Sequence, residues 1–188
     1  MTDPARLIAT SSQTVGPFFH FGLATNVALG RIAGPDAAGD HIQLRICLLD
    51  GAGAPVPDAL VEVYQADADG RYSQASEANE GFTGFGRLPT DADGCCLFHT
   101  IKPGVVRTDP AAQAPHVNVC VLSRGLLRQI YTRIYFAGDA ELATDPILAL
   151  VPADRRHTLL ARSATGDPAT WDLTIRLQGD DETVFFDL

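Results

Sequence analysis

The stretch His41-Ile42-Gln43-Leu44-Arg45-Ile46-Cys47-Leu48 sets apolar Ile42, Leu44, Ile46 and Leu48 against polar His41, Gln43 and Arg45. Successive side chains of a strand point to opposite faces, so this period of two describes a strand with one face buried and one wet. Trp171-Asp172-Leu173-Thr174-Ile175-Arg176-Leu177-Gln178 repeats the pattern near the other end of the chain. Similar runs lie at 59–64, 95–101, 116–122, 129–136 and 183–186, with Gly, Pro and Asp clusters between them. Many short strands separated by turn signals predict an all-β sandwich.

Outside the strands the sequence predicts only small additions. A short helix is expected after Asp139, and a second from Thr144 and Asp145, which can cap while Pro146 occupies the first turn. Residues 1–40 are rich in Gly, Ala and Pro without strand periodicity, which reads as an extended arm ahead of a sandwich domain at 41–188. That arm carries Phe18, Phe19, Phe21 and Leu23, which need a surface to cover them, on this chain or on a partner. The tetrapeptide Asp67-Ala68-Asp69-Gly70 recurs as Asp91-Ala92-Asp93-Gly94. A calcium loop is excluded, because Gln65 and Pro89 fill the first ligand positions and no bidentate Glu follows at the twelfth. Asp-Gly turns between strands are the reading that remains.

Composition bounds the function. The chain has 188 residues, 46% of them hydrophobic, enough for one domain with its own core. It has no run of 18 apolar residues, and its start carries neither a basic segment nor an apolar one, so a soluble chain without an ordinary export signal is expected. A net charge of −9 argues against nucleic acid and anionic membranes, which require a basic footprint. Any acidic substrate then needs local positive charge. Cys47, Cys95, Cys96 and Cys120 form no Cys-x-x-Cys pair, and the expectation is reduced, mostly buried thiols in a cytoplasmic protein.

The segment from Gly51 to Tyr72, "GAGAPVPDALVEVYQADADGRY", followed by "HTIKPGVV" from His99 and "APHVNV" from Ala114, resembles the intradiol ring-cleavage dioxygenases, in the family's order. The opening "SQTVGPFFHFGL" from Ser12 and the ending "GDDETVFFDL" narrow the likeness to a subunit that pairs with an iron-bearing homologue. Members of the family hold ferric iron with two tyrosinates and two histidines, a set suited to a hard trivalent cation. Tyr72 matches the first tyrosine, while Val106 stands where the resemblance places the second. His116 and Asn118 stand where it places His-x-His, two residues on the same side of one strand. Gln113 replaces an arginine beside the site.

The resemblance therefore implies a transthyretin-like antiparallel β-sandwich in a chain that binds no metal and carries no catalytic residue of its own. Its pocket residues would serve a homologous beta chain in a symmetric (alpha-beta)n assembly, with Fe(3+) in that partner. Thr14, Gly16 and Pro17 match arm positions that reach a partner's substrate, and Arg124 matches an arginine beside it. Glycine lets backbone approach a flat ring, proline stiffens the arm, and arginine offers fixed charge to an aromatic acid. The implied reaction is insertion of both atoms of O2 into 3,4-dihydroxybenzoate (protocatechuate). Two rivals remain open on the residues alone: a self-sufficient iron enzyme using Tyr72 and His116, and a non-catalytic binding module on the same sandwich. His20, His41, His99 and His157 have no ligand-like spacing and read as structural or surface residues.

Overall fold

The computed structural model describes residues 10–16, 18–72, 81–107 and 111–187. The strands among these residues are β1 (His41–Leu49), β2 (Leu60–Gln65), β3 (Phe85–Pro89), β4 (Cys95–Ile101), β5 (Val106–Arg107), β6 (Ala112–Gln113), β7 (His116–Leu122), β8 (Ile130–Phe136), β9 (Leu160–Ala164) and β10 (Asp167–Arg176). Hydrogen bonding runs in the order β3-β2-β7-β8-β9-β10-β1-β4, with β5 and β6 a separate hairpin. Strand β9 is the corner that joins the two layers. It pairs with β8 through only Tyr135↔Leu160 and Phe136↔Ala161 and with β10 on its other side. Pairing is antiparallel except at β8–β9 and β1–β10, which are parallel.

Alternation explains the layers. In β1 the inward Leu44, Ile46 and Leu48 are fully buried, and Phe98 of β4 and Leu173 of β10 lie opposite Leu44 and Ile46 in register. The facing layer offers Val61, Val63, Val117, Val119, Val121 and Ile134 to the same core. Ile32, Ala33 and Ala37 also enter that core, so the sandwich begins before β1. A smaller cluster of Tyr135, Leu148, Val151 and Leu159 lies against the 3-10 turns on the outer side of β8. Asp145, almost fully buried, accepts from the amides of Ala114, Ile147 and Leu148 and from the Tyr135 hydroxyl. One carboxylate thus ties the second expected turn to the segment that leads into β7.

Several expectations are corrected. The arm is not extended throughout, since Phe18–Leu23 forms a short helix, α1, and Val27–Gly30 a 3-10 turn. The two short helical additions expected after β8 are present as 3-10 turns, at Ala140–Ala143 with Asp139 as its cap and at Leu148–Leu150. Residues 183–186 make no strand, only a bridge from Phe186 to Tyr131, because Thr183 and Val184 spend their bonds on Arg176, Thr158 and Thr132. The Asp-Ala-Asp-Gly repeats are closed turns as expected. In each, the first aspartate's Oδ1 accepts two backbone amides, and the glycine adopts positive φ.

The expectation of four reduced thiols is overturned. Cys47 and Cys95 stand directly opposite each other on β1 and β4, with Cα atoms 4.0 Å apart, and form a disulfide. Cys96, the next residue, faces the core and stays free, as does half-buried Cys120. The argument from reduced thiols to a cytoplasmic location loses its basis. Among the described residues, no helix is long and apolar enough to cross a membrane. Thiol titration of the denatured, unreduced chain should find two reactive cysteines rather than four. Replacing Cys47 and Cys95 by alanine should lower unfolding free energy by about 2–4 kcal/mol in urea titrations, since the bridge closes a loop with a separation of 48 residues.

Candidate functional site

Tyr72, His116 and Asn118 come together although they lie on a loop and a strand far apart in sequence. His116 and Asn118 occupy the outer face of β7, two residues apart, as the spacing requires. Tyr72 arrives from the Asp67–Gly70 turn, which is pressed against the loop after β4. Gly104 donates its amide to the Asp67 carbonyl at 2.9 Å. A Cβ at Gly104 would sit 2.1 Å from the Ala68 oxygen, and one at Gly70 only 1.9 Å from the Val105 oxygen. Only glycine at both positions lets the two backbones nest so closely. The same contact seats Val106, nearly fully buried, in β5.

The three polar side chains satisfy one another. His116 Nδ1 lies 2.7 Å from the Ala114 carbonyl, which can only accept, so Nδ1 carries the proton. Nε2 is then an acceptor, and the Tyr72 hydroxyl donates to it at 2.9 Å. Asn118 Nδ2 donates to the Tyr72 oxygen at 2.9 Å and to the Tyr64 carbonyl at 3.3 Å. Tyr64 stacks on Tyr72 with ring centroids 5.0 Å apart. Burial pushes the Tyr72 phenol above its ordinary pKa, against the opposing influence of Asn118 and Arg133. Burial, helped by the Arg133 guanidinium, lowers His116 to about 4, against the Ala114 carbonyl and Asp145, which favour its charged form.

Tested against a ferric ion, these residues do not fit. A phenol and an imidazole are present in Tyr72 and His116, but each uses its would-be ligand atom on the other. Val106 has no donor atom, and the Asn118 amide is a neutral, weak substitute for imidazole. Among the described residues, no three His, Cys, Asp or Glu side chains converge as a metal group.

The second set of expected residues gathers elsewhere. The Gly125 amide donates to Thr14 Oγ1 at 2.8 Å, which docks the arm on the turn that carries Arg124. Arg124 and Gly16 are exposed there, and Pro17 lies outside the described residues. His20 of α1 contacts Asp58 ahead of β2, a second tether for the arm. This cluster follows the Leu122 end of β7, and six residues of strand put it about 20 Å from His116 at ~3.3 Å per residue. Sequence reasoning missed Arg133 on β8. It stands opposite Asn118 in the β7–β8 register, and its Nη1 donates to Gln113 at 2.8 Å. The alternation of Tyr131, Arg133 and Tyr135 with Thr132, Ile134 and Phe136 was the available signal, since it sets Arg133 on the outer face.

Two outcomes test this network. The His116 pKa is depressed in the fold, so unfolded chains bind more protons between about pH 6.5 and 4. Stability should therefore be intact above pH 6.5 and fall as pH drops toward 4, by up to about 3 kcal/mol. Chemical unfolding of His116→Gln at pH 4.5 and 7.5 should show a shallower pH dependence. Tyr72→Phe removes the donor to Nε2 and the acceptor for Asn118, and should cost about 1–3 kcal/mol at pH 7.5 by the same measurement.

The family model described as Dioxygenase matches residues 15–179. The chain is 43% identical to the protocatechuate 3,4-dioxygenase alpha chain of Burkholderia cepacia, over 95% of this chain and 97% of that one. It is 31% identical to the beta chain of the enzyme from the same organism, over 92% of this chain and 77% of that one. Its fold is similar to the crystal structure of 3-chlorocatechol 1,2-dioxygenase from Rhodococcus opacus 1CP, with a TM-score of 0.66 at 22% identity, covering 89% of this chain and 72% of that one. The chain belongs to the intradiol ring-cleavage dioxygenase family and groups within it with the protocatechuate 3,4-dioxygenase alpha chains.

Proposed function

We propose that this chain is the alpha subunit of a protocatechuate 3,4-dioxygenase and works only with a homologous beta chain that holds the ferric iron. The complex cleaves 3,4-dihydroxybenzoate between its hydroxyl-bearing carbons with both atoms of O2, giving 3-carboxy-cis,cis-muconate. The observation that carries this reading is the closed hydrogen-bond chain of Asn118, Tyr72 and His116, with apolar Val106 buried in β5 at the expected position of a fourth donor. In a two-chain enzyme such a site costs nothing, because the other chain supplies the metal chemistry.

The chain's own contribution lies at the other end of β7. Arg124, with Thr14 tethered beside it, lies about 20 Å along β7 from His116, too far to share a ligand of one ring. Their exposure supports a role toward a neighbouring chain. Arg124 offers a permanent cation to the substrate carboxylate, which an overall charge of −9 otherwise repels. Phe18 and Phe21 of α1 are 83% and 69% exposed, the apolar surface a partner would cover. The arm then shapes and closes the pocket against water.

Co-expression with an iron-bearing homologue should give an oxygen-consuming, coloured complex on protocatechuate, and the chain purified alone should be colourless with no stoichiometric iron. One bound iron per isolated chain, with a tyrosinate absorption band, would restore the self-sufficient reading. In the complex, Arg124→Ala should weaken protocatechuate binding about ten- to a hundredfold while iron content stays constant, since one charge-assisted hydrogen bond is worth about 1.5–3 kcal/mol. Removal of the arm up to Gly22 should lower turnover per iron and loosen the complex on size-exclusion chromatography.

A further inference from the structure

The outer face of β9 and β10 carries a hollow of about 310 Å³, at the low end of the range for small-molecule sites. Arg162 and Arg176 stand at its two ends. Arg162 is opposite Asp172 in the strand register, and Arg176 follows four residues further along β10 on the same face as Asp172. Between them the lining is Leu160 of β9 and Thr174 of β10, and the 3-10 turn Arg156–Leu159 brings His157 to the side. We propose that this hollow binds an open-chain polycarboxylate, separately from the surface presented by Thr14, Gly16 and Arg124.

Charge sets the sign of the ligand. Asp172 turns away from Arg162 toward β1, where Arg45 Nε and Nη2 hold its two oxygens at 2.8 Å each. Asp181 is exposed at the rim, 3.8 Å from His157 Nε2. The side chains of Arg162 and Arg176 are left without an ion pair or hydrogen bond among the described residues. Two unpaired guanidiniums on one hollow repel each other, and an anion between them removes that cost even in a chain of net charge −9. Span then selects a long anion over a compact one. Four residues of strand separate the two ends by about 13 Å at ~3.3 Å per residue, which long arginine side chains close onto carboxylates a few carbon atoms apart. Each planar fork can take one carboxylate through two parallel hydrogen bonds. The lining contains no Phe, Tyr or Trp, so nothing in it favours a flat ring. On the two-chain reading, on which the ligand's source rests, ring cleavage turns an aromatic monocarboxylate into an acyclic tricarboxylate. The hollow suits that product and not its substrate.

The test is calorimetric titration of cis,cis-muconate and of tricarballylate into the full chain without a partner, at about 0.15 M salt, where diffuse surface attraction is screened. One saturable site per chain is expected for each. Affinity should fall at least tenfold in Arg162→Gln and in Arg176→Gln and recover in part in Arg162→Lys and Arg176→Lys. Thr174→Glu, which keeps both arginines and sets a carboxylate at an exposed position between them, should abolish binding while the far-ultraviolet circular dichroism of the sandwich is unchanged. Benzoate and inorganic phosphate should each bind at least tenfold more weakly than tricarballylate. Phosphate binding as tight as that of tricarballylate would overturn the polycarboxylate assignment, and benzoate binding as tight would do the same. Binding that survives Thr174→Glu and both glutamine variants, or that is lost in Arg124→Ala instead, would place the ligand elsewhere and overturn the proposal, as would the absence of saturable binding. None of these outcomes touches the two-chain reading, which stands or falls on oxygen uptake by the co-expressed complex.

Discussion

A phenol hydroxyl and an imidazole nitrogen 2.9 Å apart decide what the rest of this molecule can do. In a metal centre both atoms would point their lone pairs at an ion. Here the Ala114 carbonyl fixes the proton on Nδ1, Nε2 accepts from Tyr72, and Asn118 completes the chain. Every polar atom of the trio that faces the others has a partner without any ion. Buried polar groups are costly only when unpaired, so the fold accommodates these three side chains without an ion provided that this geometry is kept. Two features keep it. The glycine-mediated nesting of the Gly70 and Gly104 loops delivers Tyr72, and Asp145 pins Ala114 at the entrance to β7.

How far this was legible follows from where period-two alternation survives. The bounds of β4 and β7 were readable to the residue, because buried side chains alternate regularly along both and Gly, Pro or Asp residues flank them. Strand β3 was not readable. Gly86 is its second residue with Ile32 packed on it, a Cβ there would come within 2.8 Å of that side chain, and Arg87 and Pro89 break the pattern. Strand β9 failed for another reason: as a corner strand it carries Arg162 and Ser163 outward and needs little apolar surface. The 183–186 segment alternates like a strand yet is not one, because alternation reports a half-buried extended segment and not who pairs with it.

Long-range meetings were the least legible part. The Cys47–Cys95 bridge depends on the β1–β4 register, which the local pattern does not determine. The Thr14 to Gly125 bond joins residues 111 positions apart, and it turns two separately chosen residues, Thr14 and Arg124, into one surface. Tyr72, His116 and Asn118 were grouped through their resemblance to a ligand set, and the geometry explains why that grouping holds without a metal. Arg133 escaped notice because a lone arginine in a strand ordinarily reads as a solvated residue. Only the cross-strand pairing with Asn118 reveals that it faces Tyr72 and His116.

The two faces of the β2-β7-β8 layer are under different physical control. Inner residues such as Val63, Val119 and Ile134 fill a close-packed core, where deleting a few methylenes costs several kcal/mol. Outer residues of the same strands can change without disturbing that packing, because the pleat puts them on the opposite side. A ligand set on the outer face can therefore be dismantled while the inner face continues to specify the fold. The separation also runs along the strand. Beyond the Leu122 end of β7, the turn holding Arg124 is fixed by the arm through Thr14, not by the Tyr72 network. Loss of chemistry at the His116 end leaves that surface in place. A change of outer-face side chains at one end of β7 can therefore leave the exposed Arg124 and the tethered Thr14 in place at the other.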